Sequence, residues 1–85
     1  MTLNNAITKA IKLTGMNPRI DGQFRKFDYK GYEISFAQNG RSDEATNYYT
    51  RKHNHNDDLT TDYFAGTFHD NLTKAFNFIN VITKN

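Results

Sequence analysis

Apolar residues near the start of the chain recur at helical spacing. Between Leu3 and Thr14 they stand three or four positions apart and form one stripe, with lysines outside it. Such a stripe predicts an amphipathic helix that packs on a core. Thr2 can cap the start of this helix, and Gly15 can end it, because glycine adopts the left-handed conformation without a steric penalty. Pro18 cannot continue a helix, so we expect the helix to end before it.

The next part of the chain alternates between apolar and polar residues with a period of two. Asp21-Gly22 and Lys30-Gly31 are turn dipeptides, and a short run rich in aromatic residues follows each of them. This arrangement predicts a β-hairpin. Its second arm has the alternation of a half-buried antiparallel strand. The apolar set of that arm is Tyr32, Ile34 and Phe36, and the polar set is Glu33 and Ser35.

Two further strands and a second helix are predicted in the remainder of the chain. Thr46 to His53 is rich in residues that favour strands, and Thr60 to Phe68 alternates with a period of two. Asp70 is suitably placed to cap the start of a helix. The apolar stripe of that helix consists of Leu72, Ala75, Phe76, Ile79 and Ile82.

The order α, β, β, β, β, α predicts a small two-layer α+β domain that spans residues 1–85. Because strands and helices are segregated along the chain, we expect an antiparallel sheet with both helices on one face. The other face is then open to solvent or to a partner. Phe64, Phe68, Phe76 and Ile79 are expected in the core, because each lies on the apolar stripe of a strand or helix.

Composition favours a binding protein over an enzyme. Of the 85 residues, 36% are hydrophobic and 14% are aromatic, so a few large rings must form a thin core. A core of this size leaves little room for a pocket of about 300 Å³ or more, which small-molecule sites typically use. We therefore expect a non-enzymatic protein that binds another macromolecule.

The sequence also carries expectations about location. It contains no cysteine, which excludes disulfides, a thiolate nucleophile and cysteine zinc sites, and which fits a reducing compartment. The first residues lack a basic start followed by an apolar run, so no signal peptide is predicted. A stretch of 18 consecutive apolar residues is absent as well, so no membrane partner is expected. These features predict a cytoplasmic protein.

Histidine and aspartate residues cluster after the third predicted strand, and this cluster has two interpretations. Imidazole and carboxylate groups are common zinc ligands and can also form an acid–base pair. However, the spacing matches no closed zinc motif, and Asp and Asn are frequent in turns because they bond their own backbone. We therefore predict neither a metal nor another cofactor. The cluster consists of His53, His55, Asp57, Asp58 and Asp62.

The third predicted strand interleaves aromatic rings with cations, a combination that can stack bases and neutralise phosphates. Alternation limits this surface to half of the strand. Tyr48, Thr50 and Lys52 share one face, and Tyr49, Arg51 and His53 share the other. Direct nucleic-acid binding is therefore possible, although no RRM-type signature, zinc finger or recognition helix accompanies the strand.

The segment from Tyr48 to Phe64, with its Asn56-Asp57-Asp58 and Thr61-Asp62-Tyr63-Phe64 runs, resembles small domains that accompany large polyvalent proteins of phages and mobile elements. The resemblance covers about a quarter of the chain, and it implies no catalytic residue. It implies a compact accessory protein of a phage or plasmid. Small domains from such sources include inhibitors of host defence, among them anti-CRISPR proteins, which occlude a surface of the effector complex.

Two functional hypotheses follow. The first is a non-enzymatic inhibitor of a host defence nucleoprotein complex, which binds through the open sheet face or the acidic loop, since carboxylates can occupy a surface that holds phosphates. The second is a small nucleic-acid-binding phage regulator. The candidate partner-binding residues are Tyr48, Arg51, Lys52, His53, His55, Asp57, Asp58 and Asp62.

Overall fold

An antiparallel sheet of five strands forms one layer and two helices form the other, in the part of the chain that the computed structural model describes, residues 1–53 and 66–84. The predicted α+β class, with both helices on one face, is confirmed. The elements are α1 (Leu3–Thr14), β1 (Arg19–Asp21), β2 (Phe24–Tyr29), β3 (Tyr32–Gln38), β4 (Ala45–Lys52), β5 (Thr67–His69) and α2 (Leu72–Ile82).

The strands lie side by side in sequence order, so each one pairs with its neighbours along the chain. One row of paired residues crosses the whole sheet on the face opposite the helices. It runs Arg19, Lys26, Ser35, Tyr49, Phe68. This row fixes which side chains of the five strands share the open face.

A β-bulge interrupts the pairing of β3 with β4. Ser35 lies opposite Tyr49, but Ala37 lies opposite Thr46, so β4 has one residue more than β3 across this interval. Asn47, inside the interval, has a φ of 56°. Asparagine tolerates this left-handed conformation better than most residues, which explains why it occupies the bulge.

The ends of both helices are fixed by local contacts. The predicted α1 is confirmed, since Thr2 Oγ1 accepts a hydrogen bond from the Asn5 N–H at 3.1 Å and Gly15 ends the helix at a φ of 72°. The predicted cap of α2 was wrong by one residue. Asn71 directly precedes the helix, and its Oδ1 accepts from the Lys74 N–H at 2.9 Å. Asp70 instead forms an ion pair with the Lys74 ammonium group at 3.1 Å.

The core lies between the helices and one face of the sheet. Its fully buried large side chains include Phe27, Ile34, Phe36, Leu72 and Ile79. The predicted core positions of Phe76 and Ile79 are confirmed, at 4% and 0% exposure. Phe68 was predicted wrongly: it is 68% exposed, because β5 pairs with β4 in a register that turns Phe68 to the open face. Phe64 lies outside the described residues.

The strands differ from the prediction in two places. Arg19–Asp21 forms an additional edge strand, which escaped prediction because it has three residues, of which one is apolar. Of the strand predicted from Thr60 to Phe68, residues 60–65 lie outside the described part, and β5 comprises Thr67–His69. Within the two described ranges, none of the helices is both long and apolar enough to cross a membrane.

Candidate functional site

A groove of about 230 Å³ lies on the open face of the sheet. Ser35, in the central strand β3, lies between Lys26 of β2 and Tyr49 of β4 in the cross-sheet row, so its small side chain leaves a depression between larger neighbours. Ser35 itself is only 8% exposed. The residues that line the groove are Phe24, Lys26, Glu33, Ser35, Asn47, Tyr49, Arg51 and Phe68.

Three aromatic side chains border the groove. The rings of Tyr49 and Phe68 pack against each other with centroids 4.8 Å apart. Phe24 lies on β2, on the far side of the central strand. Phe24 and Phe68 are 38% and 68% exposed. Large apolar side chains are exposed here on a sheet face, where a partner could cover them. We call Phe24, Tyr49 and Phe68 the aromatic border.

One end of the open face carries a network of ion pairs. Arg19 bridges two carboxylates, with Nη1 at 2.5 Å from Asp28 Oδ2 and Nη2 at 3.0 Å from Glu33 Oε2. Arg51 Nε lies 3.4 Å from Glu33 Oε1, and His53 Nε2 lies 2.5 Å from Asp28 Oδ1. The Arg19 guanidinium lowers the pKa of Asp28 through its hydrogen bond, and the bond to His53 acts in the same direction. The network therefore favours a charged Asp28.

Three members of this network have the donor types of a metal site. Ligand atoms of Asp28, Glu33 and His53 all lie within 4.8 Å of one another. The guanidinium of Arg19 already contacts both carboxylates, and it supplies the positive charge that a metal ion would bring. A cation at this position would have to displace Arg19. The arrangement is therefore better described as an ion-pair network than as a metal centre.

The candidate binding residues of the third predicted strand are divided between the two sides of the sheet. Arg51 lines the groove, and His53 joins the ion-pair network next to it. Lys52 is exposed but lies in register with Tyr32, which packs on the core side. Tyr48, which the sequence analysis also names as a candidate binding residue, does not line the groove. It is 5% exposed, with its ring 5.8 Å from that of Phe36, because the strand turns this position towards the helices.

The remaining candidates, His55, Asp57, Asp58 and Asp62, lie outside the described residues. Sequence reasoning did not select most of the groove. Phe68 was expected in the core and Asn47 within the strand predicted from Thr46 to His53, and Phe24 was not selected. The available signal was the polar set of β3: once Glu33 and Ser35 are placed on the open face, residues that pair with them share that face.

A half-buried histidine, His69, lies on the helix side of β5, away from the groove. His69 Nε2 and Thr50 Oγ1 are 2.8 Å apart, and the His69 ring lies 5.0 Å from that of Phe78. Burial lowers the pKa of His69, and this effect exceeds the opposing influence of the Asp70 carboxylate. The packing of His69 therefore favours its neutral form, and this residue contributes to folding and not to the open face.

Comparison with known protein families, with characterised proteins and with solved structures finds no match. The function is therefore inferred from the geometry of the open face.

Proposed function

We propose that this protein is a non-catalytic binding protein that engages a protein partner through the groove on its open sheet face. The observation that carries this proposal is the aromatic border, with Phe68 68% exposed and Phe24 38% exposed beside a depression. Aromatic residues and arginine are enriched among the residues that contribute most to protein–protein affinity. Arg51 lies at the same groove.

The size of the groove supports binding without catalysis. Its volume of about 230 Å³ is below the range of about 300–1,000 Å³ that is typical of small-molecule sites. It has room for one side chain of a partner, which is how a central contact residue is usually buried in an interface. A substrate together with the groups needed to transform it requires more enclosed space.

The charges of the open face favour a protein over a nucleic acid. Each cation that borders the groove or its network already contacts a carboxylate: Lys26 lies 3.0 Å from Asp21, and both Arg19 and Arg51 contact Glu33. A nucleic-acid surface needs cations that are free to replace counterions along the phosphate backbone. A protein partner needs only complementary shape and a few matching charges.

The finer part of the proposal concerns the identity of the partner. The resemblance of the segment around Asp57-Asp58 to phage and mobile-element domains supports a host defence nucleoprotein complex, whose surface the bound domain would occlude. Direct nucleic-acid binding is the alternative, and the combination of Tyr49 with Arg51 on an exposed sheet favours it. The two hypotheses can be distinguished by whether a protein or a nucleic acid crosslinks to the open face.

Site-specific photo-crosslinking tests the proposal. Phe68 is replaced by p-benzoylphenylalanine, and a matched variant carries the same group in place of Val81, which is 72% exposed on α2. Both variants are irradiated in a bacterial lysate and, separately, with a purified defence effector complex, with and without nuclease. Both positions are apolar and similarly exposed, at 68% and 72%, so the main difference between them is the face of the domain on which the crosslinking group lies.

The proposal expects discrete protein adducts from the Phe68 position that survive nuclease and are absent from the Val81 position. Adducts that disappear with nuclease would support the nucleic-acid alternative. Identical adducts from both positions would show that the open face is not the binding surface. Adducts with the purified effector would support the finer identity of the partner.

A further inference from the structure

The side-chain amide of Asn47 lies at one end of the groove. Its left-handed φ of 56° results from the bulge, and its side chain is exposed and lines the groove. Within residues 1–53 and 66–84, no hydrogen bond to this amide is found. Non-glycine residues in left-handed conformations are concentrated at functional positions. An exposed amide offers both a donor and an acceptor, which suits it to the backbone of an extended chain.

The guanidinium of Arg51 lies at the other end of the groove and is paired with Glu33 through Nε alone. Its Nε lies 3.4 Å from Glu33, and its side chain is 40% exposed. Within residues 1–53 and 66–84, no hydrogen bond from its two terminal nitrogens is found. A guanidinium group binds a carboxylate through two parallel hydrogen bonds when both nitrogens face it. The groove therefore has one position at which a partner's negative charge is favoured.

The spacing of these groups along β4 fits an extended segment. Arg51 lies two residues beyond Tyr49, and strand residues advance about 3.3 Å each, so their backbones are about 7 Å apart along β4. Asn47 lies two residues before Tyr49, in the bulge. In an extended partner, side chains on one face are also two residues apart, at about the same distance. A side chain seated over Ser35 thus brings a second side chain to Arg51.

We infer that the groove binds an extended protein segment in which an aromatic or aliphatic side chain stands two residues from a carboxylate. The apolar side chain lies over Ser35 within the aromatic border, the carboxylate binds Arg51, and the amide of Asn47 bonds the segment's main chain. This inference rests on the proposed function, because it names the chemistry of the partner for the same groove. Arg51 contacts Glu33 through Nε and offers its terminal nitrogens to one further carboxylate, which does not suit a chain of phosphates.

The probe for this inference is a display library of random twelve-residue peptides, selected on the immobilised full chain and, in parallel, on Phe68→Ala. We expect enrichment on the parent protein of peptides with Phe, Tyr, Trp or Leu two positions from Asp or Glu. No enrichment relative to Phe68→Ala, or enrichment of basic peptides, would overturn the inference.

Variants then assign the contacts, with the enriched peptide measured by fluorescence polarisation. Arg51→Gln should weaken binding about tenfold, the usual effect of losing a hydrogen bond to a charged group. It should also abolish the difference between that peptide and its Asp-to-Asn version. Asn47→Gly keeps the left-handed backbone but removes the amide, so binding should weaken severalfold with that difference intact. Lys12→Gln, on α1, should change neither quantity.

Several results would overturn the inference while leaving the proposed function standing. One is Phe68 crosslinks to a protein together with library peptides that lack an acidic preference. Another is an Arg51→Gln variant that still distinguishes Asp from Asn. Tight binding of oligo(dT) or oligo(U) that is lost in Phe68→Ala would instead assign the groove to single strands, and it would overturn the inference and the proposed protein partner together.

Discussion

The ring of Tyr49 lies directly over Gly66, so that a Cβ atom added at position 66 would fall 2.1 Å from Tyr49 Cε2. No side chain can occupy position 66 while the ring stays where it is. Gly66 is not among the glycines with a positive φ, so its backbone conformation is open to other residues. The absence of a side chain therefore serves the placement of Tyr49, which in turn packs against Phe68 and forms one side of the groove.

Gly66→Ala should displace the Tyr49 ring and destabilise the fold by about 1–3 kcal/mol, as introducing a side chain into an occupied space usually does. In a Tyr49→Ala background the same change should cost less than about 0.5 kcal/mol, because the clash has been removed. Urea unfolding of the four proteins in this cycle measures both values. Additive costs would show that Tyr49 is not the obstacle at position 66.

Replacing two phenylalanines by alanine should destabilise the fold by very different amounts, because one is buried between the layers and the other is exposed on the sheet. Phe76 is 4% exposed and its ring packs edge-on against Tyr29, with centroids 4.9 Å apart. Phe76→Ala should cost about 3–5 kcal/mol, a large share of the stability of so small a domain. Phe68→Ala removes an exposed ring and should cost about 1 kcal/mol or less. A melting temperature unchanged by Phe76→Ala would refute the packing of α2 on the sheet.

Helix α1 and Phe68 show what the sequence could and could not predict. Both ends of helix α1 were predicted, because the cap at Thr2 and the left-handed Gly15 are local features that need no knowledge of the rest of the chain. The face of the sheet on which Phe68 lies was not predicted, because alternation groups the residues of one strand but does not say which group meets the core. That depends on the pairing of β5 with β4.

The groove was predicted only in part for the same reason. Arg51 was selected from the cations of β4, but Tyr48 was selected with it, although residues three positions apart on a strand point to opposite faces. The bulge at Asn47 could not be predicted, because it is visible only in the offset between β3 and β4. Which side chains share the open face of a five-stranded sheet depends on how the strands pair. A single sequence contains little information about that pairing.

His69 should make the stability depend on pH. Burial lowers its pKa below the usual value of 6.5, so as the pH falls the unfolded chain takes up this proton before the folded protein does. The contribution of neutral His69 is fully present above about pH 6.5 and is lost as the pH falls through the lower, folded pKa. The free energy of unfolding should therefore decrease on acidification.

His69→Gln can retain a hydrogen bond to Thr50 but does not titrate. The difference in unfolding free energy between pH 7.5 and pH 5.5 should be smaller in this variant than in the parent protein, as measured by urea denaturation. An NMR titration of the His69 ring provides a direct check. A folded pKa above that of a model peptide would contradict the assignment.

Metal ions should be dispensable for folding. Arg19 already forms ion pairs with the carboxylates of both Asp28 and Glu33, and the predicted His and Asp cluster after β4 has no ligand spacing of a closed zinc site. Dialysis against a strong chelator should leave the melting temperature unchanged. Stoichiometric zinc by elemental analysis, or loss of the fold on chelation, would show that one of the two clusters binds metal.

The last prediction concerns the acidic residues that follow β4. Asp57→Lys and Asp58→Lys together reverse two negative charges in a segment that the sequence assigns to partner binding. If the protein occludes a host effector with carboxylates that take the place of phosphates, affinity for that effector should fall, because like charges then face each other. A circular dichroism spectrum and a melting curve serve as the control for folding.

The nucleic-acid alternative predicts the opposite sign for the same double variant. Added positive charge close in sequence to Arg51 and Lys52 should raise affinity for DNA or RNA, and the affinity should fall more steeply with salt, because more phosphates are neutralised on binding. One effector titration and one gel shift at two salt concentrations measure both quantities. A folded variant that is unchanged in both assays would exclude the acidic segment from binding under either hypothesis, and the open-face groove would then have to account for the partner alone.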